Sequence, residues 1–187
     1  MINSLDLGKK VIKDKIPLIS RNPGVYKMIS SSGEILYIGK AKNIPSALIG
    51  KPVPPTELPS LYNPQAFVNI EAATSQPYLV NFFASWCAPC RAEAPALAIL
   101  AKEIDIIGIA YKDKPQDSQR FLTDYGNPYT AIGSDNEGSA GLNWGVYGVP
   151  ETYLISADGL IIKRHAGPID GDILREELLP LIRSLQK

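Results

Sequence analysis

Two cysteines and one histidine among 187 residues exclude several chemistries at once. A disulfide-stapled scaffold needs more sulfur than this. A structural zinc site needs about four ligands. Here both sulfurs sit in one Cys-x-x-Cys, and His165 is far along the chain, so no such set assembles. Long apolar runs are missing too, since no stretch approaches the roughly 18–20 residues that cross a membrane. The first 20 residues are broken by Lys and Asp and lack the charged-then-apolar pattern of a secretory signal. As written, the chain is expected to stay in the compartment where it is made. Net charge is zero overall, yet residues 1–45 hold 8 Lys/Arg against 3 Asp/Glu, and residues 46–187 hold 11 against 16. That asymmetry suggests two pieces of different origin. The positive excess of the first piece is a weak argument for nucleic acid. Repeats and low-complexity segments are absent.

What is present is enough apolar sequence, 45% of residues, to build a core. Residues 1–15 carry apolar residues at loose helical spacing, so a short helix is expected there. GVYKMI and EILYIG, separated by SSSG, read as a β-hairpin. Residues 45–60 contain five prolines and read as extended linker or edge structure, with a boundary close to Ile44–Pro45. Beyond it the pattern becomes α/β. QPYLVNFFAS is a buried strand, APCRAEAPALAILAKEI a helix, and IDIIGIAYK a second buried strand. PQDSQRFLTDYG is a helix stopped at Gly126. YTAIGSD is a short strand and SAGLNWG a short helix. ETYLIS and LIIKRHAG are strands around Asp158-Gly159, a strong hairpin turn. DGDILREELLPLIRSLQK closes as an amphipathic helix opened by an Asp cap. The expected architecture is a mixed central sheet with helices on both faces, preceded by a small hairpin-containing appendage.

The Cys-x-x-Cys sits where a buried strand feeds directly into a helix. The first turn of a helix has unpaired N–H groups and partial positive charge. A sulfur placed there is stabilised as thiolate, so Cys87 is expected to have a lowered pKa. Thiolate is the attacking species in disulfide exchange. Cys90, one turn later, faces the same side and can resolve a mixed disulfide. Pro89 falls in the first turn, where a missing N–H costs little. A bare Cys-x-x-Cys is also compatible with half a zinc knuckle or with chance. The strand before it, the helix after it and Trp86 beside it favour redox chemistry.

FFASWCAPCRAEAP resembles the active site of the thioredoxin superfamily, in its membrane-anchored periplasmic branch. With SALIGKPVPPTELPSL, WGVYGVPET and YGVPETYLISADGLIIKRHAGPI, residues 46–185 resemble the cytochrome c biogenesis thiol:disulfide interchange family (CcmG/DsbE). The resemblance implies a thioredoxin fold with Cys87 as nucleophile and Cys90 as resolving thiol. It implies that Val149-Pro150 is the loop whose cis-proline faces the disulfide, with backbone Val149 able to pair an incoming peptide. Without that context Pro150 reads as an ordinary turn proline. Glu93 matches an acidic active-site residue able to take the Cys90 proton; it reads equally as a solvated helix residue. Glu151 and Tyr147 line the same groove in the family, and Glu151 is expected to oppose thiolate formation. Trp86 offers partners a flat contact, unless it is a core aromatic. Trp144 and His165 read as structural. No cofactor or metal is implied. The implied partners are apocytochrome c, an upstream membrane thiol:disulfide carrier and other cytochrome c maturation proteins, with the chain acting as a monomer.

GVYKMISSSGEILYIGKAKN resembles the start of a GIY-YIG nuclease domain, as in UvrC, through Gly24-Val25-Tyr26 and Tyr37-Ile38-Gly39. The family's later helix with its arginine, and its metal-binding glutamate, have no place before the break at Ile44-Pro45-Ser46. Phosphodiester cleavage needs charge stabilisation and usually a metal, so neither nuclease activity nor nucleic-acid binding is expected. The domains expected are a truncated GIY-YIG-like fragment over 1–45, a Pro-rich linker or start of the redox domain over 46–60 and a thioredoxin-like domain over 61–187. The redox family normally begins with a signal-anchor, and here the nuclease-like fragment takes that place, through gene fusion, recombination or a wrongly joined reading frame. The family expectation is the periplasm, the alternative the cytoplasm. Three functions stand in order: a dedicated reductase of cytochrome c maturation, a general thioredoxin-like reductase, and a nucleic-acid-binding remnant with a passenger redox fold.

Overall fold

The run Tyr78–Phe83 forms the central strand β5 and is buried at every position. Strands covered on both faces read as continuous apolar sequence, here interrupted by Asn81 alone. The computed structural model describes residues 24–29, 35–41, 48–71 and 76–186. It falls into two compact units, Met1–Ile44 and Pro45–Lys187. In the first unit, β1 (Gly24–Ile29) and β2 (Ile35–Ala41) pair antiparallel, with Tyr26 opposite Gly39 and Tyr37 opposite Met28. The two tyrosines therefore occupy neighbouring strands. The helix expected over residues 1–15 and the Ser/Gly turn of the hairpin lie outside the described residues.

In the second unit, β6 (Asp105–Tyr111) runs parallel to β5, and β7 (Ala131–Asp135) parallel to β6. On the other side β8 (Glu151–Ile155) pairs antiparallel with β5, and β9 (Ile161–Ala166) antiparallel with β8. The order is β7-β6-β5-β8-β9, the expected mixed sheet. Gly159 turns the β8–β9 hairpin at φ 78°, a conformation that a residue without Cβ adopts freely.

Parallel neighbours require crossovers, and these are right-handed. α1 (Ala88–Leu100) joins β5 to β6, and α2 (Pro115–Tyr125) joins β6 to β7. Both steps move the same way across the sheet, so both helices lie on one face. There Ala96, Leu97 and Leu100 of α1 pack on Leu79, Ile106 and Leu154. α3 (Ser139–Trp144) covers the opposite face, where Trp144 meets Phe82 and Tyr153 edge-on. Helices on both faces are thus observed. The last helix is irregular. Asp170 Oδ1 accepts from the N–H of Asp172 and Ile173, the Asp cap expected. The turns Ile173–Leu178 are π-helical before α4 (Leu179–Leu185) begins. Pro180 supplies no N–H to a regular ladder there. Among the described residues no helix is long and apolar enough to cross a membrane.

Of the two readings given for the proline-rich stretch, linker and edge structure, residues 48–60 take the second. From residue 48 on, it is built into the sheet at both borders. Gly50 N–H donates to Ile161 O, Ile161 N–H donates to Lys51 O, and Pro52 bridges Leu160. The chain then forms β3 (Glu57–Pro59), paired antiparallel with β4 (Phe67–Asn69). Ser60 bridges Gly133, and Leu61 N–H donates to Ile132 O. Leu58 presses so closely on Gly133 that a Cβ there would meet its Cβ at 2.8 Å. Buried Val53 and Leu58 anchor the segment. Strands of three residues leave no readable period, which is why β3 and β4 escaped the sequence reading.

Candidate active site

β5 ends at Phe83, and a turn closed by Cys87 N–H to Ala84 O (3.2 Å) delivers Cys87 as the N-cap of α1. Pro89 lies in the first helical turn. Cys90 N–H donates to Cys87 Sγ at 3.1 Å, so the sulfur occupies the position of a capping acceptor. That is where unpaired N–H groups and the helix dipole favour a thiolate. The two sulfurs are joined as a disulfide, with Cα atoms 5.3 Å apart. Both cysteines are buried against Phe83, Phe121 and Leu122.

The Val149–Pro150 peptide is cis. Val149 O lies 3.3 Å from Cys87 Sγ, so the loop and the sulfurs are brought together. Beside them runs a groove of 520 Å³ bordered by Tyr147, Val149, Pro150, Glu151, Arg164 and Gly167. Tyr147 is exposed, and Arg164 stands 5.8 Å from its ring centre. Glu151 is buried and held on every side. Arg164 donates Nε–H to Oε2 (2.9 Å) and Nη2–H to Oε1 (2.7 Å), and Tyr147 N–H and the Tyr153 hydroxyl donate to the same carboxylate. Sequence reasoning expected Glu151 to oppose thiolate formation. A bidentate guanidinium balances that charge, which weakens any repulsion it exerts on a nearby anion.

Glu93 is fully buried, which removes the solvated-helix reading. Oε1 accepts from Asn81 Nδ2 (3.0 Å) and Oε2 from Ile169 N–H (3.1 Å). Burial pushes its carboxyl up to about 7, against these two hydrogen bonds, which pull it down. A carboxyl poised there is matched to proton exchange near neutrality. Trp86 is 58% exposed beside Cys87, not a core aromatic, and its Nε1–H donates to Lys112 O.

A family model described as Redoxin matches residues 48–178. The chain is 44% identical over 147 residues to thiol:disulfide interchange protein DsbE of Escherichia coli K12, covering 78% of this chain and 80% of that protein. It is 42% identical over 140 residues to thiol:disulfide interchange protein HelX of Rhodobacter capsulatus, covering 74% and 80%. A secreted Mycobacterium tuberculosis disulfide oxidoreductase homologous to E. coli DsbE superposes with a TM-score of 0.58 at 22% identity, covering 70% of this chain and 96% of that one. The chain belongs to the redoxin family, in its thiol:disulfide interchange branch. It is a protein-disulfide oxidoreductase with a thioredoxin-like fold.

Within this redoxin domain several site residues escaped the sequence reading. Asn81 donates Nδ2–H to Glu93 and to Thr152 Oγ1 (2.9 Å) and accepts from the Tyr129 hydroxyl (2.7 Å). Its signal was present: a polar residue inside the apolar run YLVNFF must find buried partners. Arg164 and Asp113 gave no such signal, because a charged residue in an edge strand or in a loop reads as solvated. Trp144 and His165 have the structural roles expected of them. Trp144 is buried and donates to Thr56 Oγ1, and a ring nitrogen of His165 lies 3.3 Å from Pro168 O.

Proposed function

We propose that this redoxin domain reduces the haem-binding cysteines of apocytochrome c in the periplasm, during cytochrome c maturation. The reading is carried by one observation: the Cys87–Cys90 pair at the N-terminus of α1 opens beside the Val149–Pro150 groove, whose far wall is Glu151 clamped by Arg164. Similarity to DsbE and HelX supports the same reading.

The exchange balances as follows. Cys87 thiolate attacks one sulfur of the client disulfide. A Cys87–client bond forms, the client S–S bond breaks, and a client thiolate leaves. Glu93 takes the Cys90 proton, and Cys90 attacks Cys87 Sγ. The mixed disulfide breaks, and the client departs as a dithiol carrying two electrons. The enzyme is left as the Cys87–Cys90 disulfide, the state seen in the structure. An upstream membrane dithiol carrier restores it, and other cytochrome c maturation proteins receive the reduced client. No cofactor takes part. The client strand lies along Val149, with Tyr147, Glu151 and Trp86 as contacts. The domain works as a monomer. The β1–β2 hairpin has no catalytic part in this scheme.

The test compares two disulfide substrates of the reduced protein: a peptide carrying an oxidised Cys-x-x-Cys-His, and insulin. Rapid peptide reduction with slow insulin reduction is expected. Equal rates would replace the dedicated role with that of a general reductase. A potential for the Cys87–Cys90 couple far above that of glutathione would reverse the direction of transfer. DNA incubated with the full chain and magnesium or manganese is expected to remain intact.

A further inference from the structure

We propose that Asp113 is a positioning residue for disulfide exchange: its carboxylate bolts the Ser85–Trp86 turn, and with it Cys87, to the start of α2. Asp113 lies between the end of β6 at Tyr111 and the start of α2 at Pro115. Its Oδ2 accepts from Ser85 N–H at 2.6 Å and from Ser118 Oγ–H at 2.7 Å. Its Oδ1 accepts from Ser85 Oγ–H at 2.9 Å and from Lys114 N–H at 3.0 Å. One carboxylate therefore gathers donors from the turn before Cys87, from its own loop and from α2. A second tie runs alongside, from Trp86 Nε1–H to Lys112 O at 3.1 Å. Both residues before the nucleophile are thus held by the β6–α2 loop. That loop bends sharply between the two ties, with Lys112 at φ 47°, a conformation seldom taken by residues with a Cβ.

The turn needs an outside anchor. Its own backbone bond, Cys87 N–H to Ala84 O, is 3.2 Å long, whereas charged acceptors make the shorter and stronger bonds. A cleft of 440 Å³ bounded by Ser85, Trp86, Lys112 and Asp113 leaves space into which a released turn can move. Exchange demands that Cys87 Sγ face the client sulfur and stay within reach of Cys90. A displacement of about 1 Å at a reacting atom costs on the order of a hundredfold in rate.

The inference rests on Cys87 being the attacking sulfur. The experiment is single-turnover formation of the mixed disulfide by the reduced full chain, in a Cys90→Ser background, with an oxidised Cys-x-x-Cys-His peptide at rising concentration. Asp113→Ala is expected to lower the limiting rate by about ten- to a hundredfold with half-saturating peptide unchanged. Asp113→Asn, which keeps one acceptor oxygen, is expected to recover part of that loss. Ser118→Ala removes one donor without touching the turn and keeps the test decisive if Asp113→Ala does not fold; it is expected to lose rate in the same direction. Asp117→Asn, at a half-buried position of α2 that pairs loosely with Arg120, serves as the charge control. A purely structural role would lower the melting temperature and leave the limiting rate of folded protein alone. A folded Asp113→Ala protein within about twofold of the parent rate, or Ser118→Ala within about twofold where Asp113→Ala does not fold, would overturn the proposal. Exchange persisting in Cys87→Ser would instead overturn the assignment of the nucleophile.

Discussion

Arg164 grips Glu151 through two parallel bonds, Nε to Oε2 at 2.9 Å and Nη2 to Oε1 at 2.7 Å, from a side chain only 9% exposed against 3% for its partner. Removing one member of such a pair leaves the other charge buried without compensation.

Arg164→Met is therefore expected to destabilise the domain by about 3–5 kcal/mol, read from urea midpoints. The double variant Arg164→Met, Glu151→Gln is expected to recover a large share, because no charge remains stranded. Losses that simply add would show that the two residues are not coupled.

Glu93 gives the stability a pH dependence of known sign. Burial raises its carboxyl from the ordinary value to about 7 in the folded protein. In the unfolded chain it ionises near the ordinary carboxylate value of about 4.3. Below that value both states are protonated and the full stability is present. As pH rises toward 7 the unfolded chain gives up its proton first, and stability falls. Above 7 the whole penalty applies. The slope attributable to this residue between these limits is expected to vanish in Glu93→Gln, measured as urea midpoints across pH 4–8.

The sulfurs have separable roles. Cys87→Ser is expected to abolish client reduction. Cys90→Ser is expected to accumulate a covalent Cys87–client adduct, visible by intact mass and released by dithiothreitol. An adduct formed instead on Cys90 would exchange the two assignments.

The two tryptophans are expected to respond in opposite ways. Trp144 is fully buried between Phe82 and Tyr153, so Trp144→Ala costs about 3–5 kcal/mol. Trp86 is exposed, so Trp86→Ala changes stability by about 0.5 kcal/mol or less. Its effect appears as a raised KM for the client peptide, together with a lower limiting rate from loss of the tie to Lys112 O. A stability loss at Trp86 equal to that at Trp144 would place it in the core.

Much of this was legible because the pattern and the chemistry coincide. The apolar runs of β5 and β6 are long, the helix after β6 has a glycine stop, and the Cys-x-x-Cys falls at the joint of β5 and α1. Thiolate chemistry followed from that position alone. The pairing partners were not legible. Arg164 meets Glu151 across β8 and β9 at a separation of 13 positions, and Ile169 reaches Glu93 across 76 positions. Local sequence carries no trace of such contacts. Glu93 illustrates the point: its helix position looks solvated until the segment around Ile169 closes over it. The β3–β4 pair was hidden for a simpler reason, since proline-rich text suppresses the alternation by which strands are recognised.

The stretch from Gly50 to Leu61 touches β9 near its start and β7 along its outer side. It acts as a hem on a fabric that would otherwise fray at two borders. Exposed strand borders are templates on which other chains add and aggregate. A single proline-bearing segment, poor in donors of its own, thus occupies part of both borders on which a second chain could add.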